Sequence, residues 1–274
     1  MNNDLALPAL PEALRDRAAE LLDSTAAHEW CDTAPARLTE AAVRWQVTLA
    51  NPVAGGRGGW LWFGHNQAGP VALKLPIADI DSHLQAQREL ANTGVGAPVQ
   101  AHDMKLGALL LTWADARPLQ RTGTGSLHEQ AVLATLRRFE QVRPATELPS
   151  LHSWLAKRLT VTPADVSSQW PVPSPDEHAA ALERLAALPD DRRLCHGDLN
   201  PGNMLVDRNG HITFVDARGV SGDACYDLAT FIAKTYRAAD RRQLEQHARR
   251  AAGVCGFDDG LTVAWLQVLR TARA

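Results

Sequence analysis

The strongest constraint on the fold is a change of hydrophobic period along the chain. Between residues 43 and 113 the apolar residues alternate or form short runs: VRWQVTLA (43–50), WLWFG (60–64), VALKL (71–75), 98–101 and 108–113. Runs of this length separated by Gly, Pro and Asn turns predict strands. A helical stretch, IDSHLQAQRELANTG (80–94), interrupts them and ends on a capping Gly94. A helix over 11–27 precedes them, its apolar face carried by Leu14, Ala18, Leu21 and Leu22. Beyond residue 114 the pattern is mostly helical: 126–142, 151–159, 176–188, 224–236, 240–252 and 259–272. The expectation is an α+β chain with a β-rich N-terminal lobe (1–111) and an α-helical C-terminal lobe (112–274).

A chain of 274 residues admits two domains or one bilobal unit. Its 28 basic and 31 acidic side chains leave a net charge of −3, which argues against a nonspecific nucleic-acid binder. The longest apolar stretch, Leu106 to Ala114, is far short of a membrane span. Met1 to Glu20 has no basic segment leading into an apolar one, so no secretory signal is read there. Cys31, Cys195, Cys225 and Cys255 lie far apart with no metal-binding spacing, which fits reduced thiols in a cytoplasmic protein.

The chemistry concentrates in LCHGDLNPGNMLV (194–206) and HITFVDARG (211–219). Two short strands joined at Asp207 to Gly210 would bring Asp198, Asn203 and Asp216 to one point. A carboxylate near an attacking hydroxyl orients it and accepts its proton. A carboxamide oxygen and a second carboxylate are hard ligands suited to Mg²⁺ on phosphates. Phosphoryl transfer needs little else beyond positioning and charge neutralisation. A lone Asp198 would read as a turn or cap; the pattern His-Gly-Asp-x-x-x-x-Asn with a later strand-ending Asp does not.

Lys74, within the VALKL strand, resembles the phosphate-contacting lysine that kinases carry in VAIK, and Glu89 in the following helix is placed to pair with it. GGRGG (55–59) lies between two strands; Gly56 and Gly58 would let backbone N–H groups meet phosphates, while a plain hairpin turn is the other reading. No Walker A loop occurs, which disfavours P-loop chemistry.

Together these residues make the chain resemble the aminoglycoside phosphotransferase family, within the protein-kinase-like bilobal fold that also includes choline kinases. The resemblance spans roughly 42–270 and is most specific at HGDLNPGN and at VDARGVSGDACYDLA (215–229). It implies that Asp227 is structural, tethering the loops from below, and that His196 sits under the catalytic loop and bonds backbone. LLLTWADARPL (109–119) looks like the family's hinge, which implies adenine contacts to the backbone of Thr112 and Ala114 with Leu111 guarding the pocket. Asp216-Ala217-Arg218-Gly219 lacks Phe-Gly, and no Ala-Pro-Glu follows. That resembles the streptomycin and hydroxyurea branch more than protein kinases. Arg218 is read either as a phosphate contact or as a solvent-facing side chain.

The resemblance implies an ATP-dependent O-phosphotransferase with Mg²⁺, GTP remaining an alternative donor, that phosphorylates an antibiotic such as an aminoglycoside or a tuberactinomycin-type peptide. A metabolic kinase for choline, homoserine or a sugar is the alternative. A polycationic acceptor would call for clustered carboxylates. Asp115 and Asp223 are the candidates, with Asp258 and Asp259 better read as caps, and Trp113, Trp154, Trp170 and Trp265 as walls or core. The expected partner is a small hydroxylated molecule, not nucleic acid or membrane, and the expected state is a monomer or weak dimer.

Overall fold

The computed structural model describes residues 9–53, 58–113, 117–119, 126–160 and 172–272. Contacts divide the chain into two units, Met1–Leu84 with Pro98–Asp115, and Gln85–Ala97 with Ala116–Ala274.

The first unit opens with α1 (Glu12–Leu21) and α2 (Ser24–Arg44). Strands β1 (Thr48–Pro52), β2 (Gly59–Asn66) and β3 (Gly69–Pro76) follow, then α3 (Ile80–Asn92), whose later turns belong to the second unit. β4 (Val99–Asp103) and β5 (Ala108–Thr112) complete an antiparallel sheet of order β1-β2-β3-β5-β4. The two-residue period of a strand sorts its side chains. Leu73, Leu75, Ala108 and Leu110 join Trp60, Trp62 and the α2 residues Trp30 and Leu38 in one core. Ala72, Leu109 and Leu111 form a second cluster on the opposite face. Lys74 alternates with Leu73 and Leu75 and pairs in register with Leu109, so it belongs to that second face.

The helix expected over 11–27 is two helices. Asp23 breaks it, its side chain accepting the Ala26 N–H to cap α2. The strand expected from residue 43 starts at Thr48 instead, because 43–44 finish α2 and Gln46 turns the chain at φ +55. The apparent alternation in VRWQ is a helix end, and Val43 is largely exposed.

The second unit holds β6 (Arg117–Pro118), α4 (Leu127–Val142), α5 (Leu151–Thr160), α6 (Pro175–Ala187) and β7 (Leu194–Cys195). A 3-10 turn (Pro201–Asn203), β8 (Met204–Val206), β9 (Ile212–Phe214) and β10 (Val220–Ser221) follow. It closes with α7 (Ala224–Thr235), α8 (Arg241–Cys255) and α9 (Asp259–Thr271). β8 pairs with β6 and β9, and β7 with β10, all antiparallel. Phe139, Phe214, Tyr226, Phe231 and Trp265 are buried at the centre of one core. Buried Arg143 links the polypeptide that carries the candidate site. Its guanidinium donates to the carbonyls of Leu194 at 3.0 Å and Gly222 at 2.6 Å and pairs with Asp191 at 3.0 Å. No helix among the described residues is long and apolar enough to cross a membrane.

Candidate active site

β7 delivers the chain into His196-Gly197-Asp198. Asp227, in the first turn of α7, is wholly buried and accepts from the N–H groups of His196 and Gly197, each at 2.8 Å, and from the Cys195 thiol at 3.2 Å. His196 is also buried. Its Nε2 lies 3.0 Å from the Val215 carbonyl and its Nδ1 accepts the Asp198 N–H at 3.3 Å. The imidazole is thus consumed in holding two loops together. Gly197 takes φ +75, and a Cβ there would meet Val220 Cγ2 at 2.7 Å and Arg218 Cβ at 3.0 Å. Only glycine suits that conformation and space.

The Asp198 carboxylate is held from two sides. Asn200 Nδ2 donates to Oδ1 at 3.2 Å, and Arg218 Nη2 lies 3.2 Å from Oδ2. Asp198 and Arg218 are each about one-third exposed, so the carboxylate is fixed yet reachable. Asn200 also caps the short turn that carries Asn203, accepting the Gly202 N–H at 2.8 Å. Asn203 Nδ2 donates to the Asp198 backbone carbonyl at 2.9 Å, which leaves the carboxamide oxygen to face another ligand. The β8–β9 hairpin then sets Asp216 beside it, since the Val215 N–H donates to the Asn203 carbonyl at 3.0 Å. Asp216 adopts φ +64, a left-handed conformation uncommon outside glycine, and its N–H donates to Gln87 Oε1 at 3.1 Å. Strain of this kind persists where the surroundings impose it, often at functional sites. Asp198, Asn203 and Asp216, expected to converge, lie on one continuous hydrogen-bonded segment.

Two oxygen donors, the Asn203 carboxamide and the Asp216 carboxylate, fit Mg²⁺, which binds through one or two protein groups with water and phosphate oxygens completing its shell. Among the described residues, no group of three or more His, Cys, Asp or Glu side chains gathers to hold a metal.

The other expected residues are placed as follows. Lys74 is buried, with Nζ 3.2 Å from His83 Nε2. Glu89 Oε1 accepts from Gln85 at 2.8 Å. Leu111 is buried in β5. The Thr112 N–H is engaged by the Pro98 carbonyl at 2.9 Å, so an adenine contact there would fall to the carbonyl. Gly58 precedes β2, and its carbonyl accepts the Ile77 N–H at 3.2 Å. Gly56, Ala114, Asp115 and Trp170 lie outside the described residues. Asp223 caps α7, accepting the Cys225 N–H at 2.7 Å. Asp258 caps α9 through the Leu261 N–H at 2.7 Å, and Asp259 pairs with Arg249 at 2.9 Å. Trp265 is core, and Trp113 lies 4.3 Å from Phe63, ring centre to ring centre. Among the described walls, Trp154 is the one in contact with a site residue: the Arg218 guanidinium sits 4.6 Å from its ring centre, and that of Arg158 5.2 Å. Burial, followed by the charge of Asp227, pushes the Cys195 thiol well up, which makes it a packing group and no nucleophile.

Sequence reasoning missed Gln87, His83, Asn200 and Arg158. Asn200 carried a usable signal, an Asn-Pro-Gly turn inside the motif. The others are ordinary polar residues of helices, and only tertiary structure gives them partners.

An antiparallel five-stranded sheet with one helix between β3 and β4, followed by a helical unit whose aspartate loop precedes a short β-hairpin, defines a protein-kinase-like fold. A model of the phosphotransferase enzyme family (APH) matches residues 61–264, and the chain belongs to that family and is a phosphotransferase. Hydroxyurea phosphotransferase of Kitasatospora aureofaciens is 28% identical over 267 residues, covering 88% of this chain and 72% of that protein. Among solved structures, the choline kinase LicA from Streptococcus pneumoniae aligns with TM-score 0.58 at 13% identity, over 85% of this chain and 96% of its own. A thermostable mutant of aminoglycoside phosphotransferase APH(4)-Ia, in a ternary complex with ADP and hygromycin B, aligns with TM-score 0.56 at 15% identity, over 85% and 88%.

Proposed function

We propose that this phosphotransferase moves the γ-phosphoryl group of ATP to a hydroxyl of a small molecule, with Asp198 as the base. The observation that carries this reading is the Asp198 carboxylate, clamped between Asn200 and Arg218 yet one-third exposed, on the segment that also presents Asn203 and Asp216. The acceptor oxygen forms a bond to phosphorus, the bond to the β–γ bridging oxygen breaks, and ADP leaves. The acceptor's proton passes to Asp198 Oδ2 or Oδ1. Asn203 and Asp216 are the residues that would hold Mg²⁺, which when bound neutralises phosphate charge. Lys74 and Gly58, with Gly56, are assigned to the phosphates, Glu89 to holding Lys74, and Leu111, Thr112 and Ala114 to the adenine. ATP is favoured over GTP because one similar fold was solved with ADP bound.

The match to a hydroxyurea phosphotransferase supports a drug-like acceptor and a resistance role, with the metabolic kinase as the competing reading. Expressing the chain in a sensitive host separates the two, since only a drug kinase raises tolerance. The reaction itself is tested with Asp198→Asn. Proton acceptance by a positioned side chain contributes about 10²–10⁴-fold, so turnover should fall by that factor while ADP binding persists. Unchanged turnover would remove Asp198 from the role.

A further inference from the structure

The left-handed turn at Asp216 is held by a side chain where the residues before it are held by backbone. At the end of β9 the Phe214 N–H donates to the Val95 carbonyl at 2.8 Å, the Ala97 N–H to the Phe214 carbonyl at 3.1 Å, and the Val215 N–H to the Asn203 carbonyl at 3.0 Å. At Asp216 the chain turns to φ +64, and its N–H meets Gln87 Oε1 at 3.1 Å. Gln87 lies in α3 and is wholly buried. Its other end is engaged as well: Nε2 donates to the Ala97 carbonyl at 3.1 Å. The neighbouring Gly96 bridges to Phe214. One carboxamide therefore joins α3, the 95–97 segment and the residue that follows β9 by two positions, all within the second unit. A carboxamide is the group this place requires, since it offers an acceptor to the N–H and a donor to the carbonyl at once. An apolar side chain would leave both backbone groups without that partner.

We propose that Gln87 is a positioning residue for the metal site: by holding Asp216 in its left-handed conformation it aims the carboxylate assigned to Mg²⁺, and so sets the affinity for the ion. A non-glycine residue keeps such a backbone only where its surroundings impose it. Here the imposing contact on the Asp216 N–H is the Gln87 amide. Groups that orient a metal ligand from behind change metal affinity by about 10–100-fold when they are removed. Gln87 acts through Asp216 and is given no contact with the ion. The proposal rests on the reading of Asp216 as a Mg²⁺ ligand.

The test reads metal binding apart from turnover. Gln87→Met keeps the length of the side chain and removes both hydrogen bonds. Mn²⁺ is titrated into the protein with one equivalent of ADP, and electron paramagnetic resonance of the free and bound ion gives its affinity. Gln87→Met should weaken Mn²⁺ at least about tenfold. The affinity for ADP in the presence of a chelator, measured by calorimetry, should stay within about twofold. Gln87→Asn, one methylene short of both partners, should weaken Mn²⁺ in the same way and carries the test where Gln87→Met does not fold. Leu244→Ala, buried in α8 and on none of these bonds, is the control for lost stability: its Tm should fall while its Mn²⁺ affinity stays within about twofold. Mn²⁺ affinity unchanged in a folded Gln87 variant would overturn the proposal. So would an equal fall in chelator-treated ADP affinity, or an equal loss of Mn²⁺ in Leu244→Ala. Asp216→Asn reports on the underlying reading. Mn²⁺ lost in Asp216→Asn but retained in Gln87→Met removes Gln87 and leaves Asp216 as the ligand. Mn²⁺ affinity intact in Asp216→Asn removes the ligand itself, and the role of Gln87 with it.

Discussion

Single residues decide where the Asp198 carboxylate points, and Gly197 is the sharpest case. Its left-handed backbone and its contact with Val220 leave no room for a methyl group. Gly197→Ala should cost about 1–3 kcal/mol in stability, the usual range for a forced backbone conformation. Because the displaced atom adjoins Asp198, turnover should fall more than the fraction unfolded explains. Thermal melts and kcat measured on the same preparation check this, and a variant with wild-type Tm would contradict it. Asp198, Asn203 and Asp216 were legible at this scale because a short motif carries its geometry in spacing: five residues and a hairpin leave few ways to fold. Arg218 was not. The sequence left it between a phosphate contact and solvent, whereas its guanidinium is paired with Asp198 and stacked on Trp154, a residue 64 positions away in the numbering. No local pattern encodes such a partner.

Helix caps illustrate what the elements contribute. Asp258, read from the sequence as a cap, is the N-cap of α9, with its Oδ1 on the Leu261 N–H. Asp258→Ala should therefore lower stability by about 0.5–2 kcal/mol, the cost of losing such a cap. Acceptor KM should not move; a raised KM with unchanged Tm would return Asp258 to the substrate. Arg143 makes the stronger case. It is almost wholly buried and bonds the carbonyls that flank the aspartate loop on both sides. Arg143→Met should cost about 3–5 kcal/mol, since it leaves buried acceptors and the Asp191 charge without their partner; denaturant midpoints measure it, and a loss under 1 kcal/mol would contradict the role. The strands of the five-stranded sheet, with β1 displaced, and most helices were readable from period, whereas β6, β7 and β10, two residues each, are too short to show one. α2 was not, because its buried face is mostly alanine (Ala27, Ala34, Ala41 and Ala42 beside Trp30 and Leu38) and Pro35 interrupts its middle. Alanine contributes little to a hydrophobic pattern, and proline argues against the helix interior.

Across the whole molecule, buried acids set an alkaline limit. Burial is the first cause that pushes the Cys225 and Cys255 thiols up to about 12, from 9.0 when exposed, and it also raises Cys195 and the Tyr226 phenol. In each, the folded state keeps its proton over a pH range in which the unfolded chain has lost it. The sign follows: stability is fully present below about pH 9, falls as pH climbs toward 12, and is gone once the folded-state thiols ionise. Each unit of separation is worth about 1.4 kcal/mol per group, so two thiols separated by three units make the decline steep. Equilibrium unfolding by denaturant, measured at intervals from pH 8 to 11, should show midpoints level near pH 8 and dropping above pH 9. Cys255→Val removes one of these groups and should flatten the slope without shifting the plateau by more than the cost of repacking beside Leu133, whose carbonyl the thiol approaches at 3.5 Å. The same burial predicts the order of thiol modification: Cys31, partly exposed, should react with a disulfide reagent in the native protein, and the other three only after unfolding. A flat alkaline profile, or Cys195 reacting as fast as Cys31, would mean that these side chains reach water in the native state, and the thiol assigned to packing beneath Asp198 would have to be reconsidered.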